Sequence, residues 1–252
     1  MFREEYQAAA NGAKTKVELL EKNPKGYVIL SILAGMYIGF GVLLTNSIGA
    51  QLEGAVYTKL VMGLTFGVAL SLVVMAGAEL FTGNNLVMAA GLLRGTVRAG
   101  QAVKLWIVCW CGNLCGAMLL ALIYHLTGLA SGTVGEFMAT AAAAKMAIPP
   151  LALIARGVLC NMLVCLAVWC GFRATSDAGK LIMIIWCLLA FVTTGFEHCI
   201  ANMTLLTEAL LNPAGQAVTF GGWLYNLGLA TIGNMIGGIL FVAVPYSIGA
   251  KT

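Results

Sequence analysis

Charge is what this chain has least of. Only 10% of its 252 residues are Asp, Glu, Lys or Arg, where a soluble domain carries about a quarter. A chain so short of charge cannot cover a water-facing surface, which excludes a soluble enzyme or binding module. The net charge of +4 is too small to argue for nucleic acid. Histidine is nearly absent, with only His125 and His198. The eight cysteines form no CxxC pair, and no His/Cys cluster has zinc spacing. They read as small buried packing residues. No GxxxxGK[ST] loop is present, so nothing points to ATP hydrolysis. No resident metal or cofactor is expected. The first segment is charged (Arg3, Glu4, Glu5, Lys14, Lys16, Glu18, Glu21, Lys22) and does not read as a signal peptide.

What is abundant is apolar surface. Hydrophobic residues make up 60% of the chain, mean hydropathy is +0.93, and there are 31 glycines, which suit close helix packing in lipid. This is the composition of an integral membrane protein. Residues 2–22 read as an amphipathic helix with Phe2, Tyr6, Ala9, Ala13, Val17 and Leu20 at helical spacing. It is expected to lie at the membrane surface, and Asn23-Pro24 ends it. A crossing helix needs about 20 apolar residues. That gives six spans, near 27–51, 58–90, 103–127, 151–172, 180–210 and 217–247. The second and fifth are too long for one uninterrupted helix and carry polar residues inside, "AGAELFTGNN" and "TTGFEHCIANM". Broken helices account for both the length and the polarity.

The two halves echo one another. Glu79 and Glu197, like Asn84 and Asn202, are separated by 118 positions (197 − 79 and 202 − 84). "GNLCG" at Gly112–Gly116 repeats as "GNMIG" at Gly233–Gly237, and Gly39 and Gly157 are also matched at 118. Three spans per copy is an odd number, so the second copy is inverted. The fold class read from this is an all-α membrane protein, one channel domain over 1–252. It has an N-terminal helix over 1–25, a first repeat over 26–128, a second over 150–250, and a site where the breaks meet. Eleven of the 14 Lys and Arg residues, Lys251 among them, fall on one side of this arrangement; Lys59, Lys145 and Arg156 do not. Both termini are therefore expected to be cytoplasmic.

At each break, half-helices expose orphan N–H groups and positive dipole ends, which attract an anion. Thr82 and Asn84 add donors near one break, His198 and Asn202 near the other. Glu79 and Glu197, repeated symmetrically, are expected to cap freed amides and brace the breaks. His198 has no counterpart; Leu80 stands in its place. That asymmetry puts His198 in the pore, as a neutral donor to a passing anion. Lys145, before Pro149-Pro150, folds back toward the pore or merely follows an apolar stretch. Arg156 marks a membrane edge, and His125 is an interfacial histidine.

These motifs carry a resemblance. "GAELFTGNN", "LCNMLVCLAVW" and "GFEHCIANM" resemble the signatures of the formate/nitrite transporter family over nearly the whole chain. The resemblance implies a multi-pass protein of a prokaryotic inner membrane. It also implies a homopentamer in the lipid bilayer, with one aquaporin-like pore per protomer for small monovalent anions. It maps the pore anion-binding residues onto His198, Thr82, Asn161 and Lys145. The constrictions map onto Leu70, Leu80 and Phe81 toward the cytoplasm, and onto Phe66, Val164 and Phe191 toward the outside. Nitrite or formate is the implied substrate, with hydrosulfide the alternative, because "LIARGVLCNMLVCLAVW" is also similar to the hydrosulfide-conducting branch. A haem-binding redox subunit is disfavoured, since one histidine is expected at an interface and the other at the midplane. A neutral-solute pore lacks its paired Asn-Pro-Ala signature: Asn212-Pro213-Ala214 occurs once, in a loop.

Overall fold

The computed structural model describes residues 2–250, so Lys251 lies outside the described residues. Among those residues the chain is helical throughout, without strands. Helix α1 (Arg3–Lys22) is followed by α2 (Pro24–Gln51). Between them the Asn23 side chain accepts from the Gly26 N–H, and Pro24 takes the first helical position, where no N–H is missed. Helices α3 (Thr58–Thr65) and α4 (Gly67–Leu72) run on through one wide turn to Gly77. The chain is extended at Ala78 and Leu80 and restarts as α5 (Phe81–Leu93), followed by α6 (Ala99–Leu126). Then come α7 (Gly132–Met146), α8 (Pro150–Arg173) and α9 (Asp177–Thr194). After a second break, α10 (Cys199–Leu211) leads to α11 (Phe220–Gly238), which continues through another wide turn into α12 (Val244–Gly249). Six segments are long and apolar enough to cross a membrane: Pro24–Gln51, Thr58–Gly77, Ala99–Leu126, Pro150–Arg173, Asp177–Thr194 and Phe220–Gly249.

The expected second and fifth spans are interrupted where the polar residues fall. Gly77 and Gly195 hold φ of +82° and +79°, a left-handed conformation that glycine adopts without a Cβ penalty. In the last span the wide turn over Ile239–Ala243 precedes Pro245, which has no N–H for the helical ladder.

Three expectations need correction. The apolar stripe of α1 does not lie on lipid: Tyr6, Ala9, Ala13, Val17 and Leu20 are buried against the protein, mainly on α5. Residues 132–146 form a helix the sequence reading left out, because "ATAAAAK" favours helix but is too short and too weakly apolar to stand out as a span. Cys111 and Cys115 are exposed on α6 rather than buried.

Two helix pairs form the frame, α2 with α6 and α8 with α11. Both meet backbone to backbone through glycine. A Cβ on Gly116 would lie 1.9 Å from the Ile32 carbonyl oxygen, and one on Gly237 would lie 2.2 Å from that of Val158. Helix α1 caps one face of the molecule. Helix α7 caps the other, where Asn212 at the end of α10 donates to the Ala130 carbonyl.

Candidate functional site

Both breaks are held by the same bonds. Asn113 of α6 accepts from the Phe81 N–H at 2.9 Å and donates to the carbonyls of Ser31 and Glu79. Asn234 of α11 accepts from the Cys199 N–H at 2.9 Å and donates to the carbonyls of Gly157 and Glu197. The Glu79 N–H bonds to the Leu30 carbonyl, and the Glu197 N–H to that of Arg156. These pairs set the true correspondence of the copies: 118 positions in the broken helices, but 126 between α2 and α8 (156 − 30 and 157 − 31). The match of Gly39 with Gly157 at 118 is therefore coincidental.

Asn113 and Asn234, not Glu79 and Glu197, cap the freed amides. The two carboxylates instead receive side-chain donors. Glu79 takes Lys16 at 2.6 Å and Asn84 at 3.0 Å; Glu197 takes Lys145 and Asn202, each at 2.7 Å. Helix α1 thus gives the first break the same lysine–glutamate pair that α7 gives the second. The sequence held a signal for the caps, since both asparagines belong to the GNxxG echo. It held none for their partners, which lie about 30 positions away or more.

Against this symmetric frame the centre is asymmetric. His198 is the N-cap of α10: its Nδ1 accepts the Ala201 N–H at 3.1 Å. That bond assigns the neutral ring's proton to Nε2. Nε2 lies 3.1 Å from the Thr82 hydroxyl, which comes from the other copy. Both residues are buried. The His198 ring stacks on Phe191, with centroids 5.9 Å apart. Phe66 meets Phe191 edge-on at 5.5 Å.

A narrow apolar chamber lies beside Nε2, lined by Ile38, Phe66, Leu70, Leu80, Val164, Leu188, Phe191 and His198. Five of the six expected constriction residues are there. Phe81 is not; it is buried in the core, with its N–H bound to Asn113. Ile38 and Leu188 went unpredicted. Both are repeat partners: Leu70 with Leu188 at 118 and Ile38 with Val164 at 126. The first was legible from the known offset. The second needed an offset only the structure supplies.

On the α7 side the chamber shares Phe66, Phe191 and His198 with a wide vestibule that also holds Lys145, Asn46, Thr45, Lys59 and Asn202. On the α1 side a recess is lined by Val74, Val168, Phe172, Lys180 and Ile184. Val168 and Ile184 each stand one helical turn from Val164 and Leu188 of the chamber wall, although the recess and the chamber share no lining residue.

Two expected anion contacts are displaced. Asn161 is fully buried, and its amide donates to the carbonyls of Thr82 (3.3 Å) and Asn234 (2.7 Å), so neither hydrogen is left for an anion. It ties one break to the cap of the other. Lys145 lines the vestibule with its ammonium on Glu197, and does not line the chamber. His125, partly exposed in the last turn of α6 as an interfacial histidine would be, bonds through Nδ1 to the buried Glu208 at 3.0 Å. Among the described residues no cluster of His, Cys, Asp or Glu is arranged to hold a metal.

The arrangement matches known proteins over its whole length. The family model described as formate/nitrite transporter covers residues 3–248. The nitrite transporter NirC of Escherichia coli is 39% identical over 98% of this chain and 91% of its own length. A solved structure described as an FNT family ion channel superimposes with a TM-score of 0.93 at 36% identity, covering 98% of both chains. A pentameric formate channel with formate bound superimposes at 0.81 with 31% identity, covering 92% of this chain and 99% of that one. With its paired breaks, apolar chamber and single donor histidine, the chain belongs to the formate/nitrite transporter family.

Proposed function

We propose that this protein is a channel for small monovalent anions, nitrite or formate first, with one pore per protomer. The observation that carries the reading is the facing pair of Thr82 and His198, 3.1 Å apart, of which His198 lines both the apolar chamber and the adjoining vestibule. A monovalent anion losing its water in the chamber meets His198 in its wall, with the buried Thr82 hydroxyl within hydrogen-bond distance of the ring, and half-helix N-termini add their dipoles. A divalent anion meets a much larger cost, because Born energy scales with charge squared. Lys145 acts from the vestibule as a source of positive potential rather than as a ligand. Hydrosulfide is the second reading, supported by the α8 sequence.

The neutral His198 donates through Nε2. A second proton can enter only at Nδ1, and there it displaces the cap on Ala201. In this reading pH sensitivity is the release of that cap, after which the imidazolium passes its proton to a weak-acid anion. We further place α1 in the cytoplasm of a prokaryotic cell, on the strength of the Lys/Arg bias. We place the protein as a homopentamer in the inner membrane, a state supported by the pentameric neighbour and by exposed apolar flanks such as Phe40, Ile107 and Leu224. The test is flux through the purified protein in liposomes, comparing nitrite, formate, hydrosulfide and sulfate. Sulfate passing as fast as nitrite would overturn the reading.

A further inference from the structure

The lysine–glutamate–asparagine contacts at the two breaks are not equivalent. At the second break they close into a ring. Lys145 Nζ donates to Glu197 Oε1 at 2.7 Å, and the second carboxylate oxygen of Glu197 accepts from Asn202 at 2.7 Å. The Asn202 amide also donates to Asn226 Oδ1 at 2.8 Å. Asn226 Nδ2 in turn donates to the Lys145 backbone carbonyl at 3.0 Å. The ring runs through α7, the break, α10 and α11.

At the first break the corresponding member is Leu105 (226 − 121), which has no polar atom to close a ring. Asn84 reaches instead to the Tyr27 hydroxyl at 3.3 Å and the Cys109 thiol at 3.5 Å. A device needed merely to brace a break would recur at both. Asn226 therefore serves what is specific to the α7 side, namely the vestibule that Lys145 and Asn202 line beside His198.

We propose that Asn226 is a positioning residue for anion capture. It touches neither chamber nor vestibule, and is itself fully buried. Its donor pins the carbonyl at the last turn of α7, where Lys145 leaves the helix. Its acceptor orients the Asn202 amide that holds Glu197. The ammonium is thereby fixed at the vestibule wall, where its charge raises the local anion concentration. A lysine on an unpinned helix end would spread the same charge over many rotamers. The proposal rests on the reading of the vestibule as the anion entrance.

The test is a double-mutant cycle in liposomes, recording nitrite flux against concentration for the wild type, Lys145→Gln, Asn226→Leu and the combined variant. Asn226→Ala is run alongside, in case leucine overpacks the site. Either Asn226 variant should raise the half-saturating nitrite concentration about threefold or more, and leave the maximal flux nearly unchanged. In the Lys145→Gln background the same substitutions should add almost nothing. Equal shifts with and without Lys145, or a loss of maximal flux alone, overturn the proposal by making Asn226 a general structural residue. A Lys145→Gln shift with no effect of either Asn226 variant overturns it too, while leaving the vestibule reading intact. No effect of Lys145→Gln removes the vestibule reading and the proposal with it.

Discussion

Thr82 Oγ1 lies 3.1 Å from His198 Nε2, so the two donors face one another across the junction of the inverted copies. With the ring proton on Nε2, the histidine donates to the Thr82 oxygen at rest, and an arriving anion can take the Nε2 hydrogen together with the hydroxyl hydrogen. Removing one should therefore weaken passage without closing it. Thr82→Val is expected to lower nitrite flux about tenfold, the size of one charge-assisted hydrogen bond of about 1.5 kcal/mol. His198→Asn keeps a donor but cannot titrate. Its flux should survive while the pH response flattens, measured as flux against pH in liposomes. A wild-type pH profile in His198→Asn would make the histidine purely structural.

The caps should matter more for folding than the site does. Asn234→Leu leaves the Cys199 N–H and the Gly157 and Glu197 carbonyls without their side-chain partner. Each unsatisfied buried group costs about 1–3 kcal/mol. A loss of at least 3 kcal/mol is expected, seen as a lower melting temperature in detergent. Asn113→Leu should behave alike. A clear difference between the two would show that the frame is less symmetric than its bonds.

The chamber should sieve by its apolar walls. Leu188→Ala and Leu80→Ala each remove side-chain volume from the lining. Both are expected to raise the flux of larger monovalent anions several-fold, and Leu80→Ala to admit some sulfate. Unchanged selectivity in both variants would place the narrowest passage elsewhere.

Orientation is open to labelling in a cysteine-free background. Arg98→Cys and Gln51→Cys, at opposite ends of the frame, should react with an impermeant reagent from opposite sides, Gln51→Cys from outside. Reaction of both from one side would contradict the inverted arrangement.

The frame was legible where the copies share one register. Glu79 with Glu197 and Asn84 with Asn202 kept a constant offset, because nothing is inserted between them in either half. Ile38 could not be found from Val164, because the stretch from α2 to the first break is longer than its counterpart by eight residues (126 − 118). Four of those residues lengthen the end of α2 and three lengthen the loop after it, which hides the match from any fixed-offset comparison. Asn161 was misread for another reason. The resemblance alone placed it at the pore, but the carbonyls that occupy its amide belong to Thr82 and Asn234, 79 and 73 residues distant. Lys145 was placed near the pore, but its ion pair with Glu197 joins residues 52 apart, and no local pattern marks it.

Docking of α1 gives a pH prediction outside the membrane. The Tyr6 hydroxyl donates to the Ala243 carbonyl at 3.0 Å. Burial pushes this phenol above its ordinary value of 10.0, against smaller opposite pulls from Ser247 and Arg94. The neutral form is thus favoured in the docked helix. Its stabilisation is complete below pH 10.0 and is lost as pH rises through the raised value. Tyr6→Phe should cost about 1 kcal/mol at neutral pH. Protease nicking of α1 should increase in the wild type as pH rises above the ordinary value of 10.0 and through the raised one, and much less in Tyr6→Phe.

Asn113 and Asn234 grip the main chain of the two breaks, and the carboxylates of Glu79 and Glu197 are held beside them. The backbone on either side of positions 80 and 198 is therefore held without their side chains, and a change there costs at most the His198 cap on Ala201. One became leucine and the other histidine within the same mould. A duplicated gene segment with this kind of joint can specialise one copy for chemistry and the other for shape, and neither change asks the scaffold to be rebuilt. Exchanging the two side chains, Leu80→His with His198→Leu, should accordingly give a folded protein whose donor approaches the chamber from the opposite face.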